Sequence, residues 1–102
     1  MNPELDRALW ERWPLIFSER HGDSASTAMC WGFECGDGWY GLIDDLCEAL
    51  QGETDNEGAP QIGAMQVKEK LGSLRFRARE ASERQRAMIR AALFISERID
   101  HD

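Results

Sequence analysis

The apolar positions change period along the chain, and each change marks an element. Leu5, Leu9 and Trp13 recur at i, i+4 and i+8, the spacing of one helical face. Asn2-Pro3-Glu4 supplies the start, with a capping side chain, a proline fit for the first position and an acid near the positive helix end. Pro14 interrupts that helix, and Leu15, Ile16 and Phe17 fit either a second short turn or a kinked continuation before a loop at 22–28. Residues 29–38 (MCWGFECGDG) are glycine-punctuated and aromatic, an irregular stretch packed on the core. Trp39, Leu42, Ile43, Leu46 and Leu50 then predict a helix over 39–51, capped by Asp37 and ended by Gly52. Its opposite face turns Asp44, Asp45 and Glu48 to solvent, and a polar loop carries Glu53, Asp55 and Glu57 onward.

The period then shortens to two. Residues 62–70 and 73–79 read as strands joined at Leu71-Gly72, with Leu74, Phe76 and Ala78 on the core face and Arg75, Arg77 and Arg79 on the wet face, extended by Lys68 and Lys70. A helical period returns over 80–99, where Ala81, Gln85, Met88, Ala92, Ile95 and Ile99 form a stripe that Ile89 broadens. The expected fold is a single α+β domain over 1–102: N-terminal helices, a small two-stranded antiparallel hairpin sheet and a long C-terminal helix, packed in two layers.

Composition and charge narrow the function. An apolar fraction of 42% in 102 residues suits one ordinary core. The longest apolar run, 91–95, is far too short to span a membrane, and no leader pattern opens the chain, so the expectation is a cytoplasmic protein. Three cysteines make no complete disulfide framework and read as thiols. The net charge of −7 is unevenly placed: residues 1–63 hold 3 Lys and Arg against 13 Asp and Glu, whereas 64–102 hold 9 against 6. Phosphates repel such an acidic N-terminal part, and basic protein surfaces attract it.

Four constellations compete for chemistry. Cys30, Cys35 and Cys47 with His21 are zinc-ligand types, but the Cys30-x4-Cys35 spacing is loose and no second close pair follows. Thiol or acid–base catalysis lacks a partnered histidine: His21 falls in a loop, His101 in the tail, and Asp44 and Asp45 diverge around a helix. The cations Lys68, Lys70, Arg75, Arg77 and Arg79 suit phosphates or an acidic partner, and equally suit blocking edge aggregation or neutralising the chain's own acids. The aromatics Trp31, Phe33, Trp39 and Tyr40 are mostly core material, yet an exposed one beside Glu34 and Asp37 would anchor a basic protein surface.

Residues 29–50 (MCWGFECGDGWYGLIDDLCEAL), 67–76 (VKEKLGSLRF) and the WPLIF at 13–17 resemble a family of small uncharacterised proteins of tailed bacteriophages and prophages. The resemblance covers roughly 40% of the chain and implies a phage accessory protein of the kind that inhibits host defence, as anti-CRISPR proteins do. Many members continue into a cysteine-containing, zinc-knuckle-like tail absent through Asp102 here, which argues further against zinc. The sequence therefore predicts a non-enzymatic, cofactor-free binding protein, monomer or homodimer, in the host cytoplasm. It would dock Asp44, Asp45, Glu48, Glu53, Asp55, Glu57, Glu34 and Asp37, with Trp31, Trp39 and Tyr40, onto a basic surface of a host complex such as a CRISPR-Cas effector. The alternatives are nucleic-acid binding through the basic strand face and a zinc module.

Overall fold

A computed structural model describes residues 1–22 and 27–97. Helix α1 (Pro3–Arg12) begins where its cap predicts: the Asn2 side chain accepts a hydrogen bond from the Glu4 N–H at 2.8 Å, satisfying one of the donors a helix start leaves open. It ends at Arg12, two residues before Pro14, and residues 14–20 continue as turns that bury Ile16 and Phe17. A 3₁₀ turn (Met29–Trp31) leads through Gly32 into the two-residue strand β1 (Phe33–Glu34), and a second 3₁₀ turn (Asp37–Trp39) leads into helix α2 (Tyr40–Glu57). Strands β2 (Gly63–Lys70) and β3 (Ser73–Arg79) follow, then helix α3 (Glu83–Ser96).

The fold is α+β, and its sheet is three-stranded and mixed rather than a lone hairpin. β2 pairs antiparallel with β3 and parallel with β1, so the chain crosses from β1 to β2 through α2. The register aligns Phe33, Val67 and Phe76 in one row, all buried, and Glu34, Lys68 and Arg75 in the next. Phe17 packs edge-on against both Phe33 and Phe76, which closes the core from the α1 side. The hairpin turn puts both Leu71 (φ 53°) and Gly72 (φ 79°) in the left-handed region, matching the strand twist at the expense of strain in an exposed leucine.

Two helix boundaries differ from the sequence reading. α2 runs through Gly52 and stops at Gly58, whose φ of 76° gives the left-handed cap, so Glu53, Asp55 and Glu57 are helical rather than loop residues. Contacts with α3 outweigh the ~1 kcal/mol preference against an internal glycine: Gln85, fully buried, donates to the Leu50 carbonyl at 3.1 Å and the Thr54 hydroxyl at 3.2 Å, and Arg84 pairs with Glu53 at 3.1 Å. The same Gln85 completes a capping box with Ser82, which starts α3 three residues later than its periodicity suggests. The buried line of α3 is Gln85, Ile89, Ala92 and Ser96, so Ile95 sits half-exposed off that line; Ile99 and His101 lie outside the described residues.

One ionic contact joins α1 to the sheet. Asp6 is buried, pairs with Arg20 at 2.9 Å and accepts the Phe33 N–H at 3.2 Å, while Arg20 also donates to the Cys30 carbonyl at 3.3 Å. Gly32 fits between them only because it lacks a side chain: a Cβ there would stand 2.5 Å from the Asp6 carboxylate, and φ 77°, ψ −159° is glycine territory. Asp6→Ala leaves Arg20 poorly compensated and should cost about 3 kcal/mol in urea unfolding, with Gly32→Ala also strongly destabilising. A loss within ~0.5 kcal/mol for Asp6→Ala, the range of an ordinary surface substitution, would show that this contact does not organise the fold.

Candidate functional site

α2 carries six acids and no base over 18 residues, but the tertiary structure divides them. Asp44 is not turned to solvent: it accepts from the Trp13 indole N–H at 2.8 Å and pairs with Arg12 at 3.2 Å, because the α1 end packs against that flank. Glu53 is likewise internal, held by Arg84. Asp45 and Glu48 are exposed and share the outer face with Gly41, Ala49 and Gly52, small residues that leave the two carboxylates prominent. Asp55 continues this row one to two turns on, accepting at 3.1 Å from Gln51, and Glu57 is exposed at the helix end.

The last turn is electrostatically unusual. The C-terminal end of a helix is its negative pole and favours cations, yet it has no base here and ends in Asp55 and Glu57. Stability alone does not account for acids at that position.

The other predicted contacts are scattered. Glu34 is exposed on β1, in register with Lys68. Asp37 does not cap α2; its carboxylate instead accepts the Asn2 backbone N–H at 2.6 Å, tying the two helix starts together. Trp39 is buried and its indole N–H donates to Glu69, so it is a core residue and not a surface anchor; Tyr40 is half-buried against the same core. Of these aromatics Trp31, at 70% exposure, reaches solvent.

Among the cations, Arg79 pairs with Glu19 at 2.9 Å, which removes it from a freely wet face. Lys70 and Arg77 are exposed, Lys68 and Arg75 half-buried. The structure adds Arg84, Arg86 and Arg90 along α3, so eight of the chain's 12 Lys and Arg fall between Lys68 and Arg90 on adjoining elements. In the sequence these three are masked by the apolar stripe of α3, and the R-x-R-x-x-x-R spacing at 84–90 is the signal that marks them.

Cys30, Cys35 and Cys47 do not converge. Cys30 lies in the first 3₁₀ turn with its thiol directed at the Thr27 carbonyl, Cys35 is buried after β1, and Cys47 is fully buried in α2. Among the described residues no three His, Cys, Asp or Glu side chains are grouped to hold a metal ion. His21 packs edge-on against Trp10. Burial pushes the Cys35 thiol up to about 11 from 9.0 and raises Cys47 further, with Asp44 adding to the latter. Both should therefore stay unreactive toward a disulfide reagent at about pH 8, while Cys30 reacts and Cys30→Ser removes that fast phase. Rapid modification of all three in the folded chain would contradict this placement. Both raised values also predict stability that is full below pH 9 and declines as pH rises toward about 11, since the unfolded chain ionises its thiols first.

No described helix is long and apolar enough to cross a membrane. Comparison with protein-family models, with curated proteins and with solved structures finds no match.

Proposed function

We propose that the protein is a non-enzymatic binding module that docks the outer face of α2 onto a basic protein surface. Asp45, Glu48, Asp55 and Glu57 carry the contact, and Trp31 and Glu34 are exposed outside that helix. The observation that supports this most is the helix itself: 18 residues without a cation, acids against the negative pole, and two carboxylates raised on a floor of glycine and alanine. A Lys- and Arg-lined channel for nucleic acid, as host defence complexes possess, is a partner of this chemistry. Association would be fast and salt-sensitive.

Asp44 and Glu53 take no part in docking, because each is already held by the chain's own residues. Reversing Asp44 would damage the α1 contact and confuse folding with binding. The informative variant is Asp45→Lys with Glu48→Lys, compared with Glu4→Lys and Glu11→Lys together, two exposed acids of α1, as a charge-matched control. Captures from a bacterial lysate, analysed by mass spectrometry, should lose their most enriched protein with the double variant and keep it with the control. An unchanged capture profile would sink the reading.

Stability and binding should move in opposite directions at the helix end. Asp55→Lys and Glu57→Lys replace repulsion of the helix dipole with attraction, so each should stabilise the fold by about 0.5 kcal/mol in thermal or urea unfolding while weakening capture. If both substitutions destabilise the fold, these acids serve the structure and not a partner.

A further inference from the structure

β3 lies at an edge of the sheet, bonded to β2 on one side only. The two-residue turn makes Lys70 and Ser73 the first hydrogen-bonded pair, and alternation then turns the N–H and C=O groups of Leu74, Phe76 and Ala78 away from β2. At Leu74 the outward N–H is taken: it donates to the Ser96 hydroxyl at 3.0 Å, so the end of α3 closes that part of the edge. Among the described residues nothing bonds to the outward groups of Phe76 and Ala78. There the edge borders a groove of about 230 Å³ whose floor is Phe76, Ala78, Ala81 and Ile89 and whose rim is Arg86 and Arg90.

Cations flank this open edge on both sides. Arg86 and Arg90 stand on the helix side, and Arg75 and Arg77 project from the opposite face of β3. Glu80 and Glu83, where the chain passes from β3 to α3, are the acids nearest in sequence and do not balance them. Exposed edges invite pairing with another strand, and charged side chains select which one. A second copy pairing β3 to β3 would set arginines against arginines, which disfavours self-association.

We infer that the β3 edge is a strand-addition site for an extended acidic segment of another protein. The segment would pair its backbone with Phe76 and Ala78, seat small apolar side chains on the groove floor, and meet Arg75, Arg77, Arg86 and Arg90 with carboxylates. This site uses none of the α2 residues and stands or falls separately from the docking face proposed for that helix.

The probe is an acetylated seven-residue peptide of alternating Glu and Val, titrated into the isotope-labelled full chain at low salt. The expected result is saturable shifts centred on the amides of Phe76 and Ala78, slowed hydrogen exchange at those two amides, and affinity at least tenfold weaker for Arg75→Glu with Arg77→Glu, because a strand that seats Val on the groove turns its Glu side chains to that opposite face. Ala78→Pro, which deletes one outward N–H and spares the bonds to β2, should also weaken binding while the remaining spectrum stays native. Equal binding by the same peptide N-methylated on its pairing edge, or by its Lys-Val counterpart, would overturn the inference. So would the absence of shifts at millimolar peptide, or a single-stranded oligonucleotide that perturbs this groove when the peptide does not.

Discussion

The Asp6–Arg20 pair is the contact on which the arrangement of this fold depends. A two-residue strand makes too few ladder bonds to hold itself in a sheet, and β1 is such a strand. Its placement beside β2 is enforced from outside, by a carboxylate on α1 that takes the Phe33 N–H and by a guanidinium that takes the Cys30 carbonyl one turn earlier. Each ion is largely withdrawn from water, and each is satisfied by the other together with backbone groups, which is the condition under which a buried pair is tolerated. Gly32 lets the backbone pass close enough for that satisfaction. The crossover through α2 starts from β1, so the position of the acidic helix follows from the same contact.

The charges of the chain fall into those used inside the fold and those left outside it. Asp6, Glu19, Asp44, Glu53 and Glu69 each hold an arginine or an indole of the same chain. Asp45, Glu48, Asp55 and Glu57 remain at the surface of α2. Cations divide in the same way, with Arg20 withdrawn into the core contact and Arg77, Arg86 and Arg90 exposed. The formal net charge therefore understates the contrast between surfaces, because partial internal neutralisation leaves unmixed patches behind. A molecule with separated patches of opposite sign is oriented by a partner's field before contact, which raises the fraction of productive encounters.

These patches also differ in what they offer besides charge. The α2 face presents carboxylates on a regular helix whose backbone is internally satisfied, so recognition there is by side chains alone. The β3 edge presents unpaired backbone groups, an apolar floor and guanidinium rims together. Extended backbone is recognised by its peptide groups and helices by their side chains, and the two surfaces accordingly suit different partners.

Local patterning determined most of the elements of this protein. The Asn2-Pro3-Glu4 start, the stop before Pro14, both strands of the hairpin within one residue and the Leu71-Gly72 turn are all decided by neighbours in sequence, through caps, fixed φ and alternation. What lay beyond sequence reach was whatever a distant residue decides. Gly52 failed to stop α2 because Gln85 and Arg84, more than 30 residues away, hold the following turn. β1 was invisible because two residues carry no period, and its pairing rests on Asp6. The acids of α2 were legible as a charge run, but only packing could decide that Asp44 and Glu53 face inward to Trp13, Arg12 and Arg84 while Asp45 and Glu48 face water. Periodicity tells which side chains share a face; the identity of what covers that face belongs to tertiary structure.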